Sequence, residues 1–179
     1  MMSAVTMEEH FYIEQALYQE ARWLDKRNFQ QWLDWLADDV AYCVPSRFDR
    51  KPQGRNESWK IDEELSQTAL DLHLSENNKM TLTARVMRLT GNRSFSEVPP
   101  SRTTRVISNV EVHRHEQDDC YRVDSVFNLQ RSRLQNQRDR FTGRREDVLR
   151  RKGAGFELLQ RRVILNDTVL RSPNLSVFF

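Results

Sequence analysis

Apolar positions in the first forty residues recur at helical spacing. Ile13, Leu17, Ala21 and Leu24 follow one another at three- and four-residue intervals, which predicts an amphipathic helix. Thr6, with Glu9 three residues on, has the form of a capping box at its start. Phe29, Trp32, Leu33 and Leu36 repeat the stripe behind a second capping pattern, Asn28 and Gln31. A second helix therefore follows the short spacer Asp25–Arg27. Val40–Val44 is apolar and bounded by Asp39 and Pro45, and reads as a strand. Ser46–Lys60, polar with Pro52 and Gly54, reads as a loop. A third helix is expected from about Ser75 to Leu89, burying Leu82, Val86 and Leu89, with Gly91 in the place of a left-handed capping glycine.

Beyond Gly91 the period changes to alternation. Val106, Ser108, Val110 and Val112 fall on one face of a strand, and Arg105, Ile107, Asn109, Glu111 and His113 on the other. His115–Cys120 is a turn. Tyr121, Val123, Ser125, Phe127 and Leu129 line one face of a second long strand. Gln137–Arg150 forms a third, more polar strand. Gly153–Gly155 turns the chain into a fourth, Phe156–Asn166, with Val163 and Leu165 on one face. Helices first and long antiparallel strands second predict an α+β architecture, a curved sheet around helices, as one domain over residues 1–179.

Composition narrows the class. The chain is 38% hydrophobic and 30% charged, which supports a packed core and excludes a disordered chain. No apolar run approaches the roughly 20 residues of a membrane span, and the first residues lack the pattern of a secretory signal, so a cytoplasmic location is expected. Cys43 and Cys120 lie far apart and do not suggest a disulfide framework. A net charge of +2 is too mild to imply nucleic acid.

Several chemistries are missing. There is no H-E-x-x-H, no phosphate-binding glycine loop and no Cys-x-His pair, so this chain cannot supply the two Cys and two His of a Rieske centre. His113 and His115 read as solvent-facing residues beside a turn rather than a metal pair. Asp38–Asp39 and Asp118–Asp119 read as solvated, and Asp124 points away from the apolar face of its strand. No catalytic, cofactor-binding or metal-binding residue is expected. The arginine-rich stretch Gln130–Lys152 is interrupted by Asp139, Glu146 and Asp147 and almost lacks stacking aromatics, which argues against nucleic acid. It is either a solvated strand face or a protein interface, and Arg144 and Arg145 are the interface candidates. The tail ends in Phe178 and Phe179, which either fold into the core or dock on a partner. Pro99 and Pro100 set a rigid approach to the strand that carries Arg102 and Arg105. These two arginines pair either with a neighbouring subunit or within the chain.

Three blocks then stand out together. PPSR (Pro99–Arg102) leading through Arg105 into SNV (Ser108–Val110), FTGRREDVLRR (Phe141–Arg151) and NLSVFF (Asn174–Phe179) resemble the small (beta) subunits of bacterial aromatic-ring-hydroxylating, Rieske non-heme iron dioxygenases. The resemblance runs from about His10 to the last residue. The chain departs from it at Phe95-Ser96-Glu97, where many relatives carry tryptophan before the glutamate. A second departure is Thr104-Arg105-Val106, where many carry arginine and then an aromatic residue or histidine. The resemblance implies the cone-shaped NTF2-like or cystatin-like α+β fold. It implies a large (alpha) subunit partner in an α3β3 hexamer with the beta subunits as a trimer. The large subunit would hold the Rieske [2Fe-2S] cluster and mononuclear Fe(II). A reductase, often with a ferredoxin, would bring electrons from NADH, and O2 addition to an aromatic ring would give a cis-dihydrodiol. The competing expectation is a stand-alone isomerase or dehydratase of the same fold, with Asp39 and His73 as its candidate acid–base residues.

Overall fold

The computed structural model describes residues 4–52, 54–60, 64–65, 73–91 and 97–179. Phe95 and Ser96 lie outside them. Helix α1 (Met7–Asp25) opens with the expected capping box. The Thr6 hydroxyl accepts from the Glu9 N–H, and the Glu9 carboxylate accepts from the Thr6 N–H. Its buried stripe is Ile13, Leu17, Glu20, Ala21 and Leu24, so one carboxylate rides on the apolar face. Helix α2 (Phe29–Trp35) begins after Asn28, but the Asn28 side chain makes no cap bond. Its other end is closed by Lys79, whose ammonium donates to the carbonyls of Leu33 at 2.6 Å and Leu36 at 2.5 Å.

Strand β1 (Leu36–Val44) starts earlier than the apolar run suggested. The expected start of the third helix is instead a short strand, β2 (Ser75–Asn77), and α3 (Lys79–Thr90) follows it behind a capping box of Asn78 and Thr81. Gly91 is extended at φ −82°, so it ends α3 without the left-handed turn. The long strands are β3 (Arg102–Arg114), β4 (Cys120–Arg133), β5 (Gln137–Lys152) and β6 (Gly155–Leu165).

The six strands form one sheet in the order β2-β1-β6-β5-β4-β3. All neighbours are antiparallel except β1 and β6, which run parallel, a pairing the alternation pattern did not predict. Helix α1 lies against β3, and the helices and the tail cover one face, called the inner face below.

The facing of β3 changes partway along it. Arg105 and Ile107 point inward, and then a bulge between Ser108 and Glu111 shifts the register, with Asn109 at φ 51°. Beyond it Val110 and Val112 pack inward. Val106, expected beside them, is exposed. An extra residue flips every side chain after it. His10 on α1 donates to the Val110 carbonyl at 3.1 Å, occupying backbone that the bulge leaves unpaired.

Gly143 on β5 marks a close approach. A Cβ there would lie 2.2 Å from the Ile164 carbonyl oxygen of β6, so only glycine permits this spacing.

Candidate functional site

Four charged side chains meet inside the molecule. Helix α1 brings Glu20, one turn beyond Leu17 on its buried stripe. Strand β5 brings Arg145 and Asp147 from consecutive inward positions, and β6 brings Arg161. Each is at most 1% exposed. Arg161 holds Asp147 through two bonds of 2.8 Å and Glu20 through bonds of 2.5 and 2.8 Å. Such forked pairs are the strong form of charge-assisted hydrogen bonding. Arg145 donates to Glu20 at 3.2 Å and to the Ser125 hydroxyl at 3.3 Å, and Trp32 Nε1 donates to Glu20 at 3.0 Å.

Two guanidiniums against two carboxylates make the cluster neutral. Burial alone would push the Glu20 carboxyl up, but Arg161 and Arg145 outweigh it and hold the group below its ordinary value. Burial would lower Arg161, yet Asp147 and Glu20 lift it well above the usual guanidinium range. Burial, with Arg161 beside it, pushes Arg145 down. Both carboxylates are engaged by guanidiniums, and the Glu20 carboxyl is held ionised. The arrangement ties α1, β5 and β6 together through ionic hydrogen bonds. Among the described residues no three His, Cys, Asp or Glu side chains gather as metal ligands.

The tail packs into the interior beside this cluster. Phe178 packs at a ring-centroid distance of 4.3 Å from Trp32, under the Arg85 guanidinium at 4.7 Å. Phe179 sits between Phe127 at 5.4 Å and Phe141 at 5.5 Å. The Phe179 carbonyl accepts from Arg161 at 2.7 Å and from the Tyr42 hydroxyl, and its N–H donates to the same hydroxyl at 2.8 Å. Arg85 donates to the carbonyls of Leu175 and Val177, both at 3.1 Å.

A third buried arginine, Arg131 of β4, fastens the approach to this plug. It donates twice to Asp139, at 2.7 and 2.9 Å, and once each to Ser172, Asn174 and Ser176. Glu97 accepts from the Ser176 hydroxyl and from the Ser101 N–H, which ties the proline-marked segment to the tail.

Comparison with known proteins agrees with this architecture. The sequence pattern of a family described as ring hydroxylating beta subunit matches residues 19–172. The chain belongs to that family. It is 40% identical over 169 residues to the biphenyl 2,3-dioxygenase subunit beta of Rhodococcus jostii, covering 93% of this chain and 87% of the relative. It is 34% identical, with the same coverage, to the benzene 1,2-dioxygenase subunit beta of Pseudomonas putida. In structure it matches a chain of naphthalene 1,2-dioxygenase, solved with indole in the active site. The TM-score is 0.79 and the identity 30%, over 93% of this chain and 83% of that one. The fold is the NTF2-like α+β fold.

In this beta subunit the three sequence blocks that carry the resemblance meet around the interior. PPSR adjoins Glu97, the central block supplies Phe141, Arg145 and Asp147, and the last block is the plug itself. Of the six interface candidates, four are turned inward. Arg105, with its side chain 4% exposed, pairs with Asp25 and donates to the Phe178 carbonyl at 2.7 Å. Arg145 belongs to the buried cluster, and Phe178 and Phe179 are buried in the chain's own core. Their polar and apolar surfaces are used within the chain, the internal one of the two readings left open for the tail and for Arg105. Arg102 and Arg144 do face outward.

Asp39 does not enter the interior. It is exposed on β1 and pairs with Arg150 at 3.1 Å. His73 lies partly exposed just before β2. Sequence reasoning missed Glu20, Arg131, Asp147 and Arg161. The signal was available, because Glu20 continues a helical apolar stripe and Arg131 continues the Tyr121–Leu129 alternation.

Proposed function

We propose that this chain is the non-catalytic small subunit of the terminal oxygenase of an aromatic-ring dioxygenase. It assembles with iron-bearing large subunits as α3β3 and holds their arrangement. The large subunit carries the Rieske cluster and the mononuclear iron and adds O2 to an aromatic ring, with electrons from NADH through a reductase. The observation that supports this most is the occupied interior. Where an enzyme of this shape needs an open pocket, Glu20, Asp147, Arg145 and Arg161 neutralise one another and Phe178 and Phe179 fill the space. Iron is proposed to sit in the large subunit, and among the described residues no three His, Cys, Asp or Glu side chains gather as ligands. Biphenyl and benzene in the names of two similar beta subunits fit a substrate choice made mainly elsewhere in the assembly. Arg102 and Arg144 are the outward residues proposed to meet other subunits.

Gentle purification of the tagged chain from its native cells tests this. The expected result is a coloured complex with a larger iron–sulfur protein near one to one. A colourless chain that purifies alone would sink the reading and call for isomerase and dehydratase assays.

A further inference from the structure

A small cavity lies beside Phe178 of the plug, and its lining reaches the surface at the exposed Arg27 and Pro100. Its volume is about 40 Å³. A single water needs roughly 10–15 Å³, so the space takes a polar head of a few atoms. Strand β3 supplies Arg105 to the lining and the proline-marked approach supplies Ser101. Phe29 and Leu89, both half-buried, join Pro100 to make the wall toward solvent apolar.

Four buried side-chain polar atoms lack a hydrogen-bond partner among the described residues. Two of them, Arg105 Nε and Ser101 Oγ, belong to residues that line this cavity. The Arg105 side chain is only 4% exposed, and its other nitrogens are engaged. Nη1 donates to Asp25 and to the Thr103 hydroxyl, and Nη2 donates to the Phe178 carbonyl. Ser101 is held by its backbone, whose N–H donates to Glu97 at 3.1 Å, so its hydroxyl is spare. A buried donor without an acceptor is costly, and a pair of them on one cavity calls for an occupant. Water could satisfy both atoms, but it would leave the apolar wall of Phe29, Leu89 and Pro100 uncovered.

The charges around the cavity balance. Arg27, Arg105 and Arg131 stand against Asp25, Glu97 and Asp139. An anionic head would also meet the Glu97 carboxylate, which lines the same space. The head that fits is therefore neutral and carries an oxygen acceptor. The rings of Phe29 and Phe178 on the lining favour an aromatic body over an alkyl one.

We propose that this cavity is a binding site for a small neutral aromatic alcohol. The ligand oxygen accepts from Arg105 Nε and pairs with the Ser101 hydroxyl, while the ring lies against Phe29, Leu89 and Pro100. Arg105 already joins α1, β3 and the tail, so occupancy reinforces the point where the three meet. A ligand that binds the folded chain alone also raises its melting temperature.

The test titrates the full chain with benzyl alcohol and follows the assigned Arg105 Nε–H resonance by NMR, with thermal melts alongside. The resonance should shift saturably, with a dissociation constant on the order of 1 mM for a ligand of this size. Ethylbenzene has the same shape without the acceptor, and benzoate carries a charge; each should bind at least about tenfold more weakly. S101A removes no internal hydrogen bond, so it should melt like wild type yet bind benzyl alcohol at least about fivefold more weakly. The absence of a saturable shift up to about 20 mM would overturn the proposal and leave the cavity to water. Ethylbenzene binding as tightly as benzyl alcohol would overturn it in favour of a merely apolar crevice, and tighter benzoate binding in favour of an anion site. S101A binding like wild type would equally overturn it.

Discussion

Residues 144–147 read Arg-Arg-Glu-Asp, and the pleat of β5 sends alternate members to opposite surroundings. Arg144 and Glu146 face outward with side chains 54% and 37% exposed, 3.6 Å apart. Arg145 and Asp147 face inward, at 1% and 0%. The residue types are nearly the same on both faces, but the energetics are not. An exposed pair is screened by water and contributes at most about 1 kcal/mol. A buried group has lost its hydration, so removing its partner leaves an uncompensated charge, at a cost of about 3–5 kcal/mol. The charges of the inner face are therefore structural commitments, while those of the outer face remain available to other molecules.

The largest break in this comparison should come from Arg161→Met. It strips both Asp147 and Glu20 of their main partner, and urea denaturation should show a loss of about 3–5 kcal/mol. Adding Asp147→Leu should return part of that loss, because Arg145 then balances Glu20 alone. If the double variant were as unstable as the sum of the singles, the cluster would not act as a unit.

Phe179→Ala tests the apolar half of the same interior. Emptying the space between Phe127 and Phe141 should cost about 3–5 kcal/mol, while the backbone bonds of residue 179 to Tyr42 and Arg161 can persist. An unchanged melting temperature would mean that the tail is not packed as described. Gly143→Ala should cost less, about 1–3 kcal/mol, by forcing β5 and β6 apart at one point.

These effects also show where the sequence was readable. The apolar stripes of α1 and α2 and the Tyr121–Leu129 face of β4 follow the simple periods, so their placement was legible. The bulge in β3 was not, since nothing in Ser108-Asn109-Val110 announces an extra residue. The parallel β1–β6 pairing joins segments more than a hundred residues apart, and no local pattern encodes it. The interior cluster hid behind residue type. Arginine and aspartate at inward positions read as solvated until the register with Glu20 and Arg161 brings opposite charges together. The same difficulty made Arg105 and Arg145 candidates for a partner surface, because arginine on a polar strand carries no mark of its internal partner.

A pH titration sharpens the contrast between faces. Glu20 is depressed in the folded protein, so its contribution is complete above its unfolded value of about 4.5 and is lost as pH falls through the lower folded value. Glu9 follows the same sign. Its bond from the Thr6 backbone, with help from Tyr121 and Arg114, lowers it to about 2. Stability should therefore decline with acid from about pH 4.5 downward. Glu20→Gln should start lower at neutral pH and fall less steeply over that range. A variant with the wild-type acid slope would show that Glu20 does not govern it.

The smallest effect on folding is expected on the outer face. Arg144→Glu and Arg102→Glu remove no buried partner, and each should change unfolding free energy by less than about 1 kcal/mol. Their consequence should appear in assembly instead. Copurification with the large subunit should fail at a lower salt concentration than for wild type, because reversed rim charges repel where native ones attract. A complex that holds to the same salt in both variants would remove these two arginines from the subunit contacts. A melting temperature lowered as far as in Arg161→Met would show instead that the two faces of β5 are not energetically distinct.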